Sequence, residues 1–402
     1  MAFQEFTPIE YLMMDIAGSF GLDNKDWDVR LDWFQKHKHD LQGMMKLAKE
    51  PALYFAGMMA YEDYLAGKPS GYPVSLDATC SGMQILSVLT GDRLAAALCN
   101  VIDVGFRADA YTSLYQSMLV RVGQSGLITR DKTKNAILTS LYGSQAIPKQ
   151  VFGEGILLNG FHTTMVTECP AVWELNKTYL AIWDATKTKY SWILPDNYHV
   201  HVLIMGQMTE CVTFLGNVFD VNTMVNMPVS EGRSLGANTT HSIDGMIVRE
   251  MTRRCNYDPK VIARVRDCLN GIGIGQPEPK EEDDEMVQIL WDHYSSSGYL
   301  SARILDHINI DNVSIVDAVV VWELVDSLPK KPFEIICIHD CFRCLPNYAT
   351  DMRRQYNRQL YEIARSELLS YIFTQLLGHK AQIGKMDPTL KDDILESNYA
   401  IC

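Results

Sequence analysis

Two carboxylates stand far apart in the chain, each at the end of an apolar run. Asp77 closes YPVSLD and Asp340 follows EIICIH. Between them, RDKTKNAILTSLYG places Arg130, Lys134, Leu138 and Tyr142 at four-residue steps. On a helix each step turns about 400°, so the four form one slowly drifting stripe with two cations at its start and an aromatic ring at its end. Such a stripe can grip a triphosphate and stack on a base. Two carboxylates from distant segments can share divalent metal ions, which clamp the attacking and leaving oxygens in phosphoryl transfer. Mg²⁺ suits such a site, since it takes few carboxylates together with substrate phosphates. Each part alone has an ordinary explanation: an amphipathic helix with solvated cations, or an aspartate forming a hairpin turn. The trio is far more specific than any member.

These residues need elements to hold them. VSLD reads as a buried strand, and SGMQILSVLT as the helix that follows it. Residues 26–66 read as helical, up to the breakers Gly67, Pro69, Gly71 and Pro73. RADAYTSLYQSMLVRVG continues in helical style. For the stripe helix, Thr129 is the expected N-cap, and Gly143 sits where a C-terminal glycine belongs. Residues 186–230 are rich in β-branched and aromatic residues with turn signals, which predicts one or more hairpins. GIGIGQPEPKEEDDEM, residues 271–286, reads as a solvated loop. PFEIICIHDCFRCLP reads as two short strands around a turn. Cys337, His339, Cys341 and Cys344 crowd together there, but alternate strand positions face opposite ways, which argues against a zinc site.

With 402 residues the chain can build two or three domains, and 47% hydrophobic with 21% charged residues is ordinary for a globular protein. Its formal charge of −13 argues against a general nucleic-acid coat, although a local basic cleft or a basic partner remains compatible. The ten cysteines lack the spacing of a disulfide scaffold. The N-terminal stretch has no basic region ahead of its apolar residues, and the apolar runs are too short to span a bilayer. The expectation is a cytoplasmic protein with no membrane contact.

At this point a resemblance becomes visible. Asp77-Ala-Thr-Cys-Ser-Gly-Met-Gln84 resembles motif A of the single-subunit RNA polymerases of T-seven-like phages and mitochondria. Arg130-x3-Lys134-x7-Tyr142-Gly143 resembles their motif B, and Ile338-His339-Asp340 their motif C. HSIDG at 241–245, DILESNYAIC at 393–402, LDNKD at 22–26 and KEPALYFAGMMAYEDY at 49–64 are similar to further family signatures, in the family's order. The resemblance implies an α/β fold with the palm and fingers of a right-handed polymerase: palm in 1–105, fingers in 106–240 and palm again in 241–402. It implies two Mg²⁺ ions on Asp77, Asp340 and the Ala78 carbonyl. It puts Arg130 and Lys134 on the incoming triphosphate, Leu138 against the base, and Tyr142 with Gly143 at the nucleotide pocket. His241 would lie beside the nascent pair, and His339 would orient motif C near the primer terminus.

DNA polymerases with the same motif B carry Glu five residues after the first Asp, where it blocks a ribose 2′-OH. Gly82 stands there in this chain, so ribonucleotides are the expected substrates. The rivals are a DNA polymerase or primase on the same palm, and a noncatalytic DNA-binding scaffold. Single-chain relatives also carry an upstream thumb and promoter-facing domain with a Gly-Arg segment; Gly232-Arg233 is misplaced for that role. The expectation is therefore a heterodimer, similar to the two-chain polymerases of N-four-like phages, whose larger subunit is catalytic. The expected partners are a second subunit, NTPs, nascent RNA and single-stranded or melted template DNA, with a single-stranded-DNA-binding helper to deliver it. The hairpin region near 198–230 has few cations, which makes direct readout of duplex promoter bases weak. Residues 257–330 look like an insertion, a surface decoration or else a docking site.

Overall fold

The computed structural model describes residues 2–123, 128–230, 232, 234–273 and 280–402. Arg233, and residues 274–279 of the acidic loop, lie outside the described residues. Helices dominate, packed around a small central sheet. Seven strands occur among the described residues: β1 (Val74–Asp77), β2 (Lys189–Ile193), β3 (His199–Leu203), β4 (Met205–Phe214), β5 (Asn217–Asn226), β6 (Ile336–Ile338) and β7 (Cys341–Cys344). The central sheet runs in the order β1-β7-β6 and is antiparallel throughout. The mixed helix and sheet content agrees with expectation. The alternating parallel units that the term α/β suggests are absent from the described strands, because β6 and β7 close on each other through the tight turn at His339 and Asp340.

Local signals explain most helix boundaries. Thr129 caps the helix Arg130–Leu141 by accepting from the Lys132 amide, and Gly143 follows it with φ 89°. Asp109 caps Ala110–Val122 in the same way. The helix Ser81–Thr90 is buried along its whole length and stops at Gly91, whose φ of 68° suits glycine. The expected helical stretch 26–66 is broken into Trp27–His37, Leu41–Met44, a 3₁₀ turn and Pro51–Leu65.

The end of the presumed acidic loop is in fact helical. Asp283–Ser297 starts inside it, with Asp283, Asp284 and Glu285 in the first turn. Carboxylates there meet the positive end of the helix dipole, so the acidic run starts a helix as well as facing solvent.

Two hairpins form where β-structure was expected, β2–β3 and β4–β5. The second projects outward and turns through Leu215 and Gly216, both with positive φ. Between Met205 and Asn226 it carries Glu210 and Asp220 and no Lys or Arg.

The segment 257–330, expected to be an insertion, forms a unit with a core of its own. The chain leaves at Cys255, whose carbonyl accepts from the Phe333 amide at 2.7 Å where the chain returns. The excursion has its own core, including Val265, Val287, Leu290, Ile304 and Val321. It is tied to the helix Ser234–Cys255 through Glu250, and its Arg303 donates to the Asp196 carbonyl of the first hairpin at 3.0 Å. Asp196, fully buried, meets Arg249 at 2.6 Å and Arg253 at 3.0 Å; Glu250 meets Arg253 and accepts from the Ala302 amide inside the excursion. Among the described residues no helix is long and apolar enough to cross a membrane.

One partly buried cation bridges distant elements. The segment after the helix Leu368–Leu377 crosses the C-terminal ends of two helices, Ser81–Thr90 and Ala349–Arg365. Lys385 Nζ donates to the Val88 carbonyl at 3.4 Å and to the Ile363 carbonyl at 3.5 Å. The Met386 amide donates to the Thr90 carbonyl at 2.7 Å. Cations suit the negative ends of helices, yet burial pushes the Lys385 ammonium down to about 8 from 10.5, partly opposed by Glu367. The folded state thus releases this proton more readily than the unfolded state. Stability should rise with pH from about 8 towards 10.5, by at most ~1.4 kcal/mol per pH unit for one proton. Urea midpoints of wild type and Lys385→Met, measured from pH 7 to 10, check this. The wild type should gain on the variant across that window, and parallel curves would contradict it.

Candidate functional site

The register of β1 on β7 builds the site. Asp77 pairs with Cys341, so the end of β1 lies beside the turn that carries Asp340. The Ala78 amide donates to the Asp340 carbonyl at 3.0 Å, which locks the two segments one residue further on. The other side of β1 is held by the segment 400–402: Cys402 N–H donates to the Asp77 carbonyl at 3.0 Å, and Asp77 N–H returns a bond at 3.3 Å. Asp77 is exposed and the Asp340 side chain is about one-third exposed. Two oxygen donors from adjacent segments, with the Ala78 backbone alongside, form the kind of hard, sparse set that suits Mg²⁺ together with substrate oxygens. Among the described residues no cluster of three or more His, Cys, Asp or Glu makes a complete metal cage.

The turn itself is unusual. His339 adopts φ 55°, a left-handed conformation that costs a non-glycine residue of order 1–3 kcal/mol and gathers at functional sites. Its Nδ1 lies 2.7 Å from Asp340 Oδ1 and its Nε2 lies 3.1 Å from Asp244 Oδ2. The hydrogen bond to Asp340 raises the imidazole above its ordinary range, with a further contribution from Asp244. Asp244 is buried, and burial pushes its carboxyl up to about 6 against the opposing pull of His339.

Cys341 meets Ser75 Oγ at 3.1 Å and the Asp77 side chain, and burial together with Asp77 pushes its thiol up to about 11. Cys337 Sγ meets Thr252 Oγ1 at 3.8 Å. The neighbouring thiols therefore serve different surroundings.

The stripe helix lies across from this turn. Tyr142 packs against His241 with the rings tilted by 49° and their centroids 5.0 Å apart, and His241 lies 6.4 Å from His339. Burial pushes the Tyr142 hydroxyl up to about 12, and Cys80, Asp244 and Asp340 add to the shift. The Lys134 ammonium sits 5.0 Å above the Tyr111 ring, whose hydroxyl meets Cys80 Sγ at 3.2 Å. Cys80, raised by burial, feels both Asp340 and Lys134, so those two charges share one neighbourhood. Leu138 is half-buried on the same helix.

Two expectations change. The space at Gly82 is taken by Tyr142: a Cβ built on Gly82 would collide with the tyrosine oxygen. Glycine therefore seats the phenol here, and any side chain at 82 must displace it. Arg130 is engaged too. Its Nη2 meets Asp109 Oδ2 at 2.5 Å and its Nε donates to Thr112 at 2.7 Å. The stripe thus carries one cation in an ion pair and one over an aromatic ring. Asp244 was not singled out in the sequence. The signal lay in its position three residues after His241 on a helix, which sets both on neighbouring turns of one face.

Residues 6–154 match the family described as DNA-dependent RNA polymerase. The DNA-directed RNA polymerase of Pseudomonas phage phiKMV is 29% identical over 328 residues, covering 64% of this chain and 40% of that protein. A probable DNA-directed RNA polymerase of Neurospora crassa is 26% identical over 158 residues, with 34% of this chain and 18% of that one covered. One from Podospora anserina is 28% identical over 102 residues, 22% of this chain and 11% of its own. The chain therefore spans less than half the length of the relatives it matches. Both the family match and these relatives point to an RNA polymerase.

Proposed function

We propose that this chain is the catalytic subunit of a DNA-directed RNA polymerase that joins ribonucleotides to an RNA 3′-OH on a DNA template. The observation that carries the proposal is the β1–β7 register, which sets Asp77 beside Asp340 in the same neighbourhood as Lys134. Asp77, Asp340 and the Ala78 carbonyl would hold two Mg²⁺ ions, which when bound stabilise charge on the attacking and leaving oxygens. The chain's own residues do the rest. Lys134 and Arg130 take the triphosphate, with Arg130 exchanging Asp109 for phosphate. Leu138 packs on the base. Tyr142, followed by Gly143, closes the nucleotide pocket against Gly82. His241 lies beside the nascent pair, next to Tyr142. His339 holds Asp340 near the primer terminus.

A second polypeptide would grip the nucleic acid beside this chain. Phosphate contacts provide most nucleic-acid affinity, and the charge of −13 leaves that task to such a partner. The cation-free β4–β5 hairpin favours a template delivered single-stranded or melted over one read in the major groove. A single-stranded-DNA-binding helper fits that need. The setting would be the cytoplasm.

The first test is extension of an RNA primer on single-stranded DNA with Mg²⁺ and NTPs. Asp340→Asn should lower the rate by at least about 100-fold, the scale on which a transition-state charge stabiliser is lost. Extension that survives the substitution would favour a scaffold. Omitting the second polypeptide should shorten the products, and full processivity by this chain alone would contradict a two-chain enzyme. The second test concerns the sugar. Gly82→Glu should raise the dNTP-to-NTP ratio of kcat/KM by roughly tenfold. Gly82→Ala, which displaces Tyr142 without adding an acid, separates displacement from exclusion. An unchanged ratio in Gly82→Glu would contradict a sugar gate at this position.

A further inference from the structure

The helix Ser234–Cys255 presents two side chains to the site from neighbouring turns. His241 contacts the Tyr142 ring, and Asp244 contacts the His339 ring. The second contact is costly to maintain. The Asp244 side chain is only 12% exposed, and a buried carboxylate is unfavourable unless a partner compensates it. Its neighbours Ile243 and Ile247 are fully buried, so the backbone that carries it is fixed. The His339 ring, by contrast, is 60% exposed and sits on a strained turn. An exposed imidazole samples many orientations unless it is anchored. Here it is anchored at both nitrogens, by Asp244 at 3.1 Å and by Asp340 at 2.7 Å.

We infer that Asp244 is a positioning residue for Asp340, acting through His339. The buried carboxylate fixes the plane of the imidazole. The imidazole then occupies Asp340 Oδ1, and Oδ2 is left to face a cation. The inference rests on the polymerase reading for the task of Asp340 and adds the element that aims it. Partners that orient a metal-ligating carboxylate usually change metal affinity about 10- to 100-fold when removed. The neighbouring turn of the same helix, through His241, touches the nucleotide-side tyrosine, so one rigid element sets both the carboxylate and the aromatic wall.

The test is a Mn²⁺ titration of the full chain followed by electron paramagnetic resonance, which reads bound metal without turnover. Asp244→Ala should weaken Asp340-dependent Mn²⁺ binding by about tenfold. Asp244→Asn keeps an acceptor oxygen but loses the charge, and should weaken it by roughly threefold, within the same range of effects. His339→Phe removes the bridge and should match Asp244→Ala. The double variant should bind no worse than His339→Phe alone, because the two act along one path.

Additive losses in the double variant would overturn the relay, as would an Asp244→Asn titration that superimposes on wild type. If Asp244→Ala proves unfolded by circular dichroism, the nearly isosteric Asn variant decides the outcome. Wild-type binding that needs Asp340 but ignores Asp244 overturns the relay alone. Wild-type binding identical to that of Asp340→Asn overturns the metal reading, and the relay with it.

Discussion

The antiparallel pairing of β1 with β7 is the constraint on which the rest of this molecule depends. It brings two like charges from opposite ends of the chain, Asp77 and Asp340, onto adjacent segments of a very small sheet. Four residue pairs of strand cannot enforce that juxtaposition unaided. The pairing is braced on its free side by residues 400–402, which bond both Asp77 and Thr79. Behind it stands Gln84, fully buried. Its amide donates to Thr79, to the Cys99 carbonyl and to the Ala400 carbonyl, and its oxygen accepts from Tyr356. Each of these buried partners would cost about 1–3 kcal/mol if left unpaired. Gln84 therefore links the site strand, the helix behind it and the segment on its flank into one unit.

The helix Ser234–Cys255 plays the matching part on the other side. Its first half faces the site through His241 and Asp244. Its second half carries Arg249, Glu250, Arg253 and Arg254, which hold Asp196 from the first hairpin and the excursion 257–330. These charges are buried or half-buried, and their worth lies in completeness. Removing one member strands a buried charge at a cost of several kcal/mol, while the intact set gains little over apolar packing. The network serves orientation more than stability: it joins the excursion and the hairpin to the same helix that carries His241 and Asp244.

Much of this was legible in the sequence because local rules governed it. A strand ending at Asp77, a cap at Thr129, a left-handed Gly143 and a turn at His339-Asp340 all follow from composition within a few residues. Residues 257–330 look like an insertion in the sequence, and the structure gives them a core of their own. The rest depended on contacts between distant segments. No local pattern states that β1 pairs with β7, that residues 400–402 run beside β1, or that Lys385 bridges two helix ends. Gly82 illustrates the limit well. Its type said that space was needed, and only the fold says that Tyr142 fills it. The acidic run at 281–285 misled for a related reason, since a carboxylate cluster suits both a solvated loop and the first turn of a helix.

The resting arrangement of the two stripe cations bears on how a triphosphate would be received. Arg130 is paired with Asp109, yet the partners are 39% and 28% exposed, so water screens the pair and its net worth is small, of order 0–1 kcal/mol. Lys134 rests over Tyr111, an interaction of similar size at a partly exposed position. Neither contact is strong enough to compete with charge-assisted bonds to phosphate oxygens in a closing pocket. Both are directional enough to restrict long side chains that would otherwise lose rotamer freedom on binding. Asp109 also caps the helix that carries Tyr111, so both resting contacts derive from one element, Ala110–Val122. Weak, geometrically defined holding contacts of this kind preorganise cations at little energetic cost. Under the proposed function they would leave the larger electrostatic gain for the moment when ligand charge arrives.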